Sequence, residues 1–251
     1  AIGKALLELR DVSGEHIPRH VDLTVHRGEV VGIAGLLGSG RSSLARTICG
    51  MSPMRGGEIR IGGKPVAISR PKDAIDAGLV LIPEDRLRQG VIAEHSVAAN
   101  TALAVIDKVS SGGLVDSGKV RALADTQIER LRIKTASRDA PVRTLSGGNA
   151  QKVVIGKWLA AEPEILVLDE PTAGIDIGSK SEIMALVREL ARSGKAVTVI
   201  SSELSEILSA CDRIVVMSDG RVMEDLQREA LDDPGAPADD PVAQLEAAER
   251  N

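Results

Sequence analysis

Gly32-Ile33-Ala34-Gly35-Leu36-Leu37-Gly38-Ser39-Gly40-Arg41-Ser42-Ser43-Leu44 decides how this chain folds. Gly35, four intervening residues, Gly40 and then Arg41-Ser42 form the frame of a phosphate-binding loop, with arginine where that frame ordinarily carries lysine. Such a loop points its backbone N–H groups inward through torsion angles that side chains forbid, and Gly35, Gly38 and Gly40 supply that freedom. Val30–Ala34 reads as the strand entering the loop and Ser42–Cys49 as the helix leaving it, so the helix amino terminus faces the anion. Gly35, Gly38, Ser39, Gly40, Arg41, Ser42 and Ser43 are therefore the candidate phosphate contacts. Arg41 keeps the charge of the usual lysine but replaces a compact ammonium with a broad planar fork.

A second segment points to the same chemistry. Ile165-Leu166-Val167-Leu168 is a continuous apolar run, too short to span a membrane and suited to a strand buried on both faces. It runs into Asp169-Glu170-Pro171-Thr172, and carboxylates at the carboxyl end of a central parallel strand lie where α/β sheets bind ligands. Asp169, with the Ser42 hydroxyl, reads as a holder of Mg²⁺, and Glu170 as the group that orients or deprotonates an attacking water. Between the two segments lies Leu145-Ser146-Gly147-Gly148-Asn149, followed by a helix-forming stretch over Ala150–Ala161. Ser146 suits a helix amino-terminal cap, and Gly147 and Gly148 bare the N–H groups of that helix end.

In this order, the phosphate loop, Leu-Ser-Gly-Gly and an apolar strand ending in Asp-Glu-Pro-Thr resemble the nucleotide-binding domain of ATP-binding-cassette (ABC) proteins over nearly the whole chain. More finely, Pro83-Glu84-Asp85-Arg86, Leu145–Asn149 with Gln151-Lys152, Gly174-Ile175-Asp176-Ile177-Gly178 and Ser201-Ser202-Glu203-Leu204 resemble the carboxyl-terminal cassette of bacterial monosaccharide importers. The resemblance implies an α/β fold: an ABC-type P-loop NTPase core with an antiparallel β subdomain and a helical subdomain. It also implies ATP and Mg²⁺ as cofactors, and a second, amino-terminal cassette as partner. Each nucleotide then lies between the phosphate loop of one cassette and the Leu-Ser-Gly-Gly segment of the other.

On the same resemblance, Ser146, Gly147, Gly148, Asn149 and Asp176 contact nucleotide, and Glu170, Ser202 and Glu84 are the catalytic candidates. The signature side is intact apart from asparagine at 149, where glutamine is more common. The phosphate side departs three times: Arg41 replaces lysine, Glu84 replaces a common glutamine, and Ser202 replaces a histidine that faces the γ-phosphate. A serine hydroxyl neither carries positive charge nor accepts a proton comparably near neutral pH. The own site is therefore expected to be degenerate and slow in the isolated domain, while the signature completes the partner's site. A nucleotide-binding regulatory or scaffolding cassette with little turnover, and a nucleoside importer ATPase, stay open as alternatives.

The usual aromatic stack on adenine has no counterpart, since the chain lacks Phe and Tyr and has one Trp, Trp158, beyond the signature. His16 is left as either a weak stack or a surface residue. At 43% hydrophobic and 27% charged, 251 residues suit one α/β unit with a sizeable core. The net charge of −5 gives no case for nucleic acid as a partner. Cys49 and Cys211 read as buried thiols rather than a disulfide. With no signal peptide and no apolar run approaching 18 residues, the expected place is cytoplasmic, peripheral at the inner face of the plasma membrane. The resemblance implies transmembrane permease subunits as partners there and, indirectly, an extracellular or periplasmic sugar-binding protein.

The expected layout is a cassette over 1–228, with a helical subdomain at about 91–145, and an acidic Ala/Pro-rich flexible tail over 229–251. Residues 5–31 and 55–70 read as the β subdomain, 79–82 as a buried strand, Glu84–Gly90 as a polar loop, and Ser96–Val142 as a mostly helical insertion with a flexible Ser110–Gly113. That loop and insertion are the expected permease-docking surface, testable by charge reversal at Arg86 or Arg88. Ser181–Ser193 reads as a helix, and Ala196–Ile200 and Ile214–Met217 as further core strands.

Overall fold

The computed structural model describes residues 2–227, so the expected tail over 229–251 lies outside the described residues. In chain order the strands are β1 (Ala5–Ser13), β2 (Val21–His26), β3 (Val30–Ala34), β4 (Gly56–Ile61), β5 (Lys64–Val66), β6 (Leu79–Ile82), β7 (Ser110–Ser111), β8 (Leu114–Val115), β9 (Ile165–Asp169), β10 (Ala196–Ile200), β11 (Arg213–Ser218) and β12 (Arg221–Gln227). The α-helices are α1 (Arg41–Ile48), α2 (Pro71–Asp76), α3 (Val97–Ala102), α4 (Ser117–Leu131), α5 (Gly147–Leu159), α6 (Ile177–Arg192) and α7 (Leu204–Ala210). The fold is α/β, and it divides into two compact units.

The first unit takes in the chain up to Leu81, Glu164–Glu170 and the chain from Val187 onward. It contains a mixed sheet of order β12-β11-β3-β10-β9-β6. β3, β9 and β10 are buried at every residue, which is why their sequences are continuous apolar runs without alternation. β11, β3, β10 and β9 run parallel, and β12 returns antiparallel along the edge. The second sheet, β2-β1-β4-β5, is antiparallel throughout. One core packs from both: Leu7, Leu9, Val25 and Ile59 of the antiparallel sheet share it with Val31, Ile33, Leu44, Ile165 and Val215.

The second unit comprises Ile82–Pro163 and Pro171–Leu186 and is mostly helical. α3, α4 and α5 pack on one another through Val97, Ala124, Leu131 and Val153, all buried. Two expectations of loop are corrected here. Glu84–Gly90 is not an open polar loop: Arg86–Gly90 closes a π-helical turn, because the Asp85 carboxylate accepts from the Arg88 N–H at 3.0 Å and fixes its start. Ser110–Gly113, read as a flexible stretch, consists of β7 and the Gly112-Gly113 turn that joins it to β8, with Gly112 and Gly113 at φ 59° and 81°. α6 begins at Ile177 rather than Ser181, since the Asp176 carboxylate accepts from the Ser179 N–H at 3.0 Å and organises the first turn.

Candidate functional site

The first unit gathers the phosphate-loop residues and both strand-end carboxylates. Register aligns Ile33 of β3 with Ile200 of β10, and Ile200 with Asp169 of β9, so three parallel strands end side by side. Their carboxyl ends carry the glycine loop, Ser201-Ser202 and Asp169-Glu170, at the position where open α/β sheets place ligands. Gly35 and Gly40 have φ of 152° and 101°; a Cβ on Gly35 would lie 2.4 Å from the Met217 carbonyl oxygen, so only glycine fits. Gly38, also at positive φ, is exposed at the tip with nothing near it. α1 starts from Gly40 with no side-chain cap, which leaves its first N–H groups for an anion. Ser39 Oγ is buried and has no hydrogen-bond partner among the described residues. An orphaned buried hydroxyl inside a loop of bared N–H groups fits a phosphate. Ser43 is half-buried on the first turn of α1.

Ser42 Oγ donates to Asp169 Oδ1 at 2.9 Å, bringing a hydroxyl and a carboxylate oxygen together beside that loop. Oxygen donors of this kind suit a hard cation such as Mg²⁺. Glu170 sits at φ 46°, a conformation unfavourable for a residue with a Cβ, and three bonds hold it there. Its N–H donates to the Ile200 carbonyl at 2.8 Å, while its carboxylate accepts from the Ser202 N–H at 3.0 Å and from Ser202 Oγ at 2.5 Å.

Arg41 joins this group in a way the sequence did not reveal. Its side chain is only 7% exposed and turns toward the end of β10: Nη1 donates to the Ser201 carbonyl at 2.8 Å and Nη2 to Ser202 Oγ at 3.2 Å. Nη2 lies 3.8 Å from Glu170 Oε1. The two positions read as separate departures, Arg41 and Ser202, thus touch each other and the same carboxylate.

The second unit carries the signature side. Ser146 caps α5, its Oγ accepting from the Asn149 N–H at 3.4 Å, so the helix begins at Gly147, on the two glycines and ahead of the helix-forming stretch over Ala150–Ala161. Asn149 Nδ2 donates to Ser146 Oγ at 2.8 Å and its Oδ1 accepts from the Lys134 N–H at 2.7 Å; the asparagine ties the helix start to the segment after α4. Gly147 and Gly148 also serve close packing. A Cβ on Gly147 would lie 2.9 Å from Arg86 Nη2, and one on Gly148 would lie 2.5 Å from the Ser179 Cβ. The Asp176 carboxyl, fully exposed, is held below the usual carboxylate range by hydrogen bonds, first that from the Ser179 N–H. Glu84 is exposed, and its carbonyl accepts from the Arg86 N–H.

Arg86 and Arg88 lie in the segment expected to dock the permease, and they are placed differently. Arg86 Nη1 donates to the Ala173 carbonyl at 2.6 Å and Nη2 to the Gly174 carbonyl at 3.2 Å, so this guanidinium is engaged internally. Arg88, with 89% of its side chain exposed, is the residue of the pair that presents charge to solvent. No sequence signal distinguished them. His16 is exposed, and Trp158 is half-buried with the Lys157 Nζ 4.9 Å from its ring centre. Cys49 and Cys211 are both buried. Among the described residues no cluster of His, Cys, Asp and Glu has metal-binding form, and no helix is long and apolar enough to cross a membrane.

A phosphate loop on a parallel sheet, a hydroxyl–carboxylate pair beside it and a separate Ser-Gly-Gly helix start define a P-loop nucleotide-binding cassette. Residues 18–173 match the ABC transporter family, and the chain belongs to that family. It is 44% identical over 231 residues to a ribose import ATP-binding protein, RbsA, of Geobacillus kaustophilus, covering 92% of this chain and 47% of that protein. It is 42% identical over 233 residues to an arabinose import ATP-binding protein, AraG, of Rhizobium meliloti, covering 92% of this chain and 46% of that protein. The chain therefore spans about half the length of the curated relatives it matches. A solved nucleotide-free ATP-binding cassette from an ABC transporter superposes with a TM-score of 0.80 at 25% identity, over 92% of this chain and 96% of its own.

Proposed function

We propose that this chain is one ATP-binding cassette of a monosaccharide importer, and that its two faces do unequal work. The signature face, Ser146 to Asn149 with Asp176, completes a nucleotide site on the partner cassette. The phosphate-loop face forms a degenerate site that binds Mg²⁺ and ATP and turns them over slowly. The names of the relatives support a sugar as the imported substrate, and permease subunits and a sugar-binding protein as partners, with the cassette at the cytoplasmic face of the membrane.

The observation that carries the unequal reading is the Arg41 guanidinium, buried and committed to Ser201 and Ser202 rather than directed along the loop. In the reaction, the bared N–H groups of Gly38, Gly40, Arg41 and Ser42 and the Ser39 hydroxyl bind the phosphates. Mg²⁺, where bound, neutralises charge developing on them, with Ser42 and Asp169 to hold it. Glu170 is the residue placed to orient water and take its proton, but its carboxylate already accepts two hydrogen bonds from Ser202. A base whose lone pairs are so engaged activates water poorly, and removal of general-base function costs roughly 10²–10⁴-fold in rate. Glu84, exposed just before the π-turn, stands where a glutamine is common in the family.

The test is a four-variant comparison in the assembled two-cassette transporter at matched expression. Ser146→Arg or Gly147→Asp is expected to abolish most ATP hydrolysis and sugar uptake, and Arg41→Ala or Glu170→Gln to do less harm. Equal damage from both pairs, or greater damage from the second, would overturn the unequal assignment and make this chain's own phosphate site the working one. Loss of uptake with ATP hydrolysis unchanged in all four would favour a scaffolding cassette instead.

A further inference from the structure

Arg86 occupies a junction that neither the phosphate chemistry nor the family motifs explain. It begins the π-helical turn over Arg86–Gly90. Its two terminal nitrogens donate to consecutive carbonyls, Ala173 at 2.6 Å and Gly174 at 3.2 Å. Those carbonyls belong to the segment linking Glu170-Pro171-Thr172 to Asp176, and Gly174 itself sits at φ 65°. Arg86 Nη2 also lies against the first signature glycine, within 2.9 Å of where a Gly147 Cβ would be. One guanidinium therefore touches three stretches far apart in sequence: the turn that follows Pro83-Glu84, the start of α5, and the Ala173–Asp176 segment. The two glycine contacts are complementary. Gly147 leaves room for Arg86, and Gly148 leaves room for Ser179, whose N–H is capped by Asp176. The signature backbone is thereby seated on the 173–179 segment at both glycines, and Arg86 fixes one of those seats.

The far side of the junction is anchored as well. The carbonyl of Gly90, the last residue of the π-turn, accepts from the buried Lys157 Nζ at 2.5 Å, three turns along α5. A Cβ on Gly90 would lie 2.8 Å from Val154 of the same helix. The π-turn is thus clamped to α5 at Gly90 and to the 173–174 carbonyls at Arg86. A planar fork suits this position because its two terminal nitrogens, held in one rigid plane, meet two consecutive carbonyls, where a lysine offers a single nitrogen on a flexible stem.

We propose that Arg86 is a positioning residue: it holds the Ser146–Gly148 helix start and the Ala173–Asp176 segment at one fixed spacing, so that both meet the partner's nucleotide together. The proposal rests on the reading that the signature face serves the partner site. It assigns Arg86 no contact with nucleotide. Its loss slows turnover without weakening ATP binding, because the binding groups stay and only their mutual placement relaxes. An error of about 1 Å in the placement of such groups costs roughly 10²-fold.

The experiment has two arms. In the assembled transporter, kcat and KM for ATP are measured for Arg86→Ala, Arg86→Lys, Ser146→Arg and the surface control Arg130→Ala. Arg86→Ala is expected to lower kcat by about 10- to 100-fold with KM within about threefold, and Arg86→Lys, able to keep one carbonyl, to recover part of that loss. In the chain alone, hydrogen exchange is compared between wild type and Arg86→Lys. Faster exchange is expected at both Gly147–Ala150 and Ala173–Ile177, with α1 unchanged. If Ser146→Arg stops hydrolysis while Arg86→Ala leaves kcat per assembled complex unchanged, the Arg86 proposal fails and the signature reading stands. If Ser146→Arg is itself harmless, the underlying reading fails. If Arg86→Ala does not assemble, exchange in Arg86→Lys decides: acceleration confined to the π-turn, or spread evenly over the chain, refutes the coupling.

Discussion

Changing Arg41 to lysine would give the loop its usual residue, yet the structure makes the expected result two-sided. Arg41 donates to the Ser201 carbonyl and to Ser202 Oγ from two different nitrogens, in a site where its own side chain is 7% exposed. Lysine carries one ammonium and can keep one of those partners. A hydrogen bond from a charged donor contributes about 1.5–3 kcal/mol, and the Ser201 residue that loses it is buried, so the unliganded chain should lose about that much stability. For a chain of this size that corresponds to a fall of roughly 3–12 °C in Tm. The freed ammonium, a compact charge at the mouth of the glycine loop, should raise ATP affinity by about tenfold, or about 1.4 kcal/mol. Urea unfolding without nucleotide gives the first number and calorimetry with Mg·ATP the second. Pairing Arg41→Lys with Ser202→Ala should show a coupling of about 0.5 kcal/mol or more, because the two side chains share a bond. A variant that is as stable as wild type, or that binds ATP no more tightly, would show that Arg41 is not held by the end of β10 and acts on phosphate in place of lysine.

Three further outcomes follow from buried polar groups. Glu29, 3% exposed, feels burial pushing its carboxyl up, but hydrogen bonds from Arg213 and His26 outweigh it and hold the group below its ordinary 4.5. Its stabilisation is therefore present above about pH 4.5 and is lost as pH falls through the lower folded value; urea midpoints for Glu29→Gln should show a shallower acid limb and, at neutral pH, a loss of about 1.5–3 kcal/mol from the charge-assisted bond to Arg213, which keeps Asp225 as its remaining ion pair. Burial pushes the Lys157 ammonium down to about 8 from 10.5, so the folded chain binds fewer protons in that window and gains stability as pH rises through it; Lys157→Met should lose that slope in unfolding measured from about pH 7.5 to 10. Asn149→Ala should cost about 0.5–1.5 kcal/mol, since the exposed Lys134 N–H exchanges its protein acceptor for water, measured by urea unfolding, and Asn149→Asp should retain most of that bond.

What the sequence made legible is what short-range physics writes. The phosphate loop could be placed because torsion angles at Gly35 and Gly40 demand glycine, and β3, β9 and β10 because burial on both faces forces unbroken apolar runs. The Ser146 cap of α5 was legible because a serine before two glycines is a local signal, whereas the start of α6 was misplaced: it begins at Ile177, ahead of Gly178, because Asp176 caps it. The polar look of Glu84–Gly90 hid a π-turn, since it is closed by the Val91 N–H on the Arg86 carbonyl and started by the Asp85 carboxylate, neither of which a polar composition announces. The engaged arginines were beyond reach for a different reason: Arg41 meets Ser201 across 160 residues and Arg86 meets Ala173 across 87. No periodicity or spacing records a pairing at that distance. The fold must first bring the strand ends together.

That distance also changes how the two departures at the phosphate site should be counted. Taken singly, Arg41 is a lysine lost and Ser202 a histidine lost, each a separate defect. In the structure the guanidinium reaches the residue that stands in the histidine's place and lies 3.8 Å from Glu170, so positive charge is retained within the site while its location shifts from the loop toward the carboxylate. Neither substitution is self-sufficient. A serine alone would leave Glu170 with no nearby cation, and an arginine alone would meet a histidine at the point where its fork now donates to Ser202 Oγ. Reverting both positions should therefore raise ATP affinity by more than the two single reversions together, a surplus that independent defects would not produce. Measured as ATP affinity, Arg41→Lys with Ser202→His should exceed the sum of the single changes; additivity within about 0.5 kcal/mol would show that the two substitutions drifted separately.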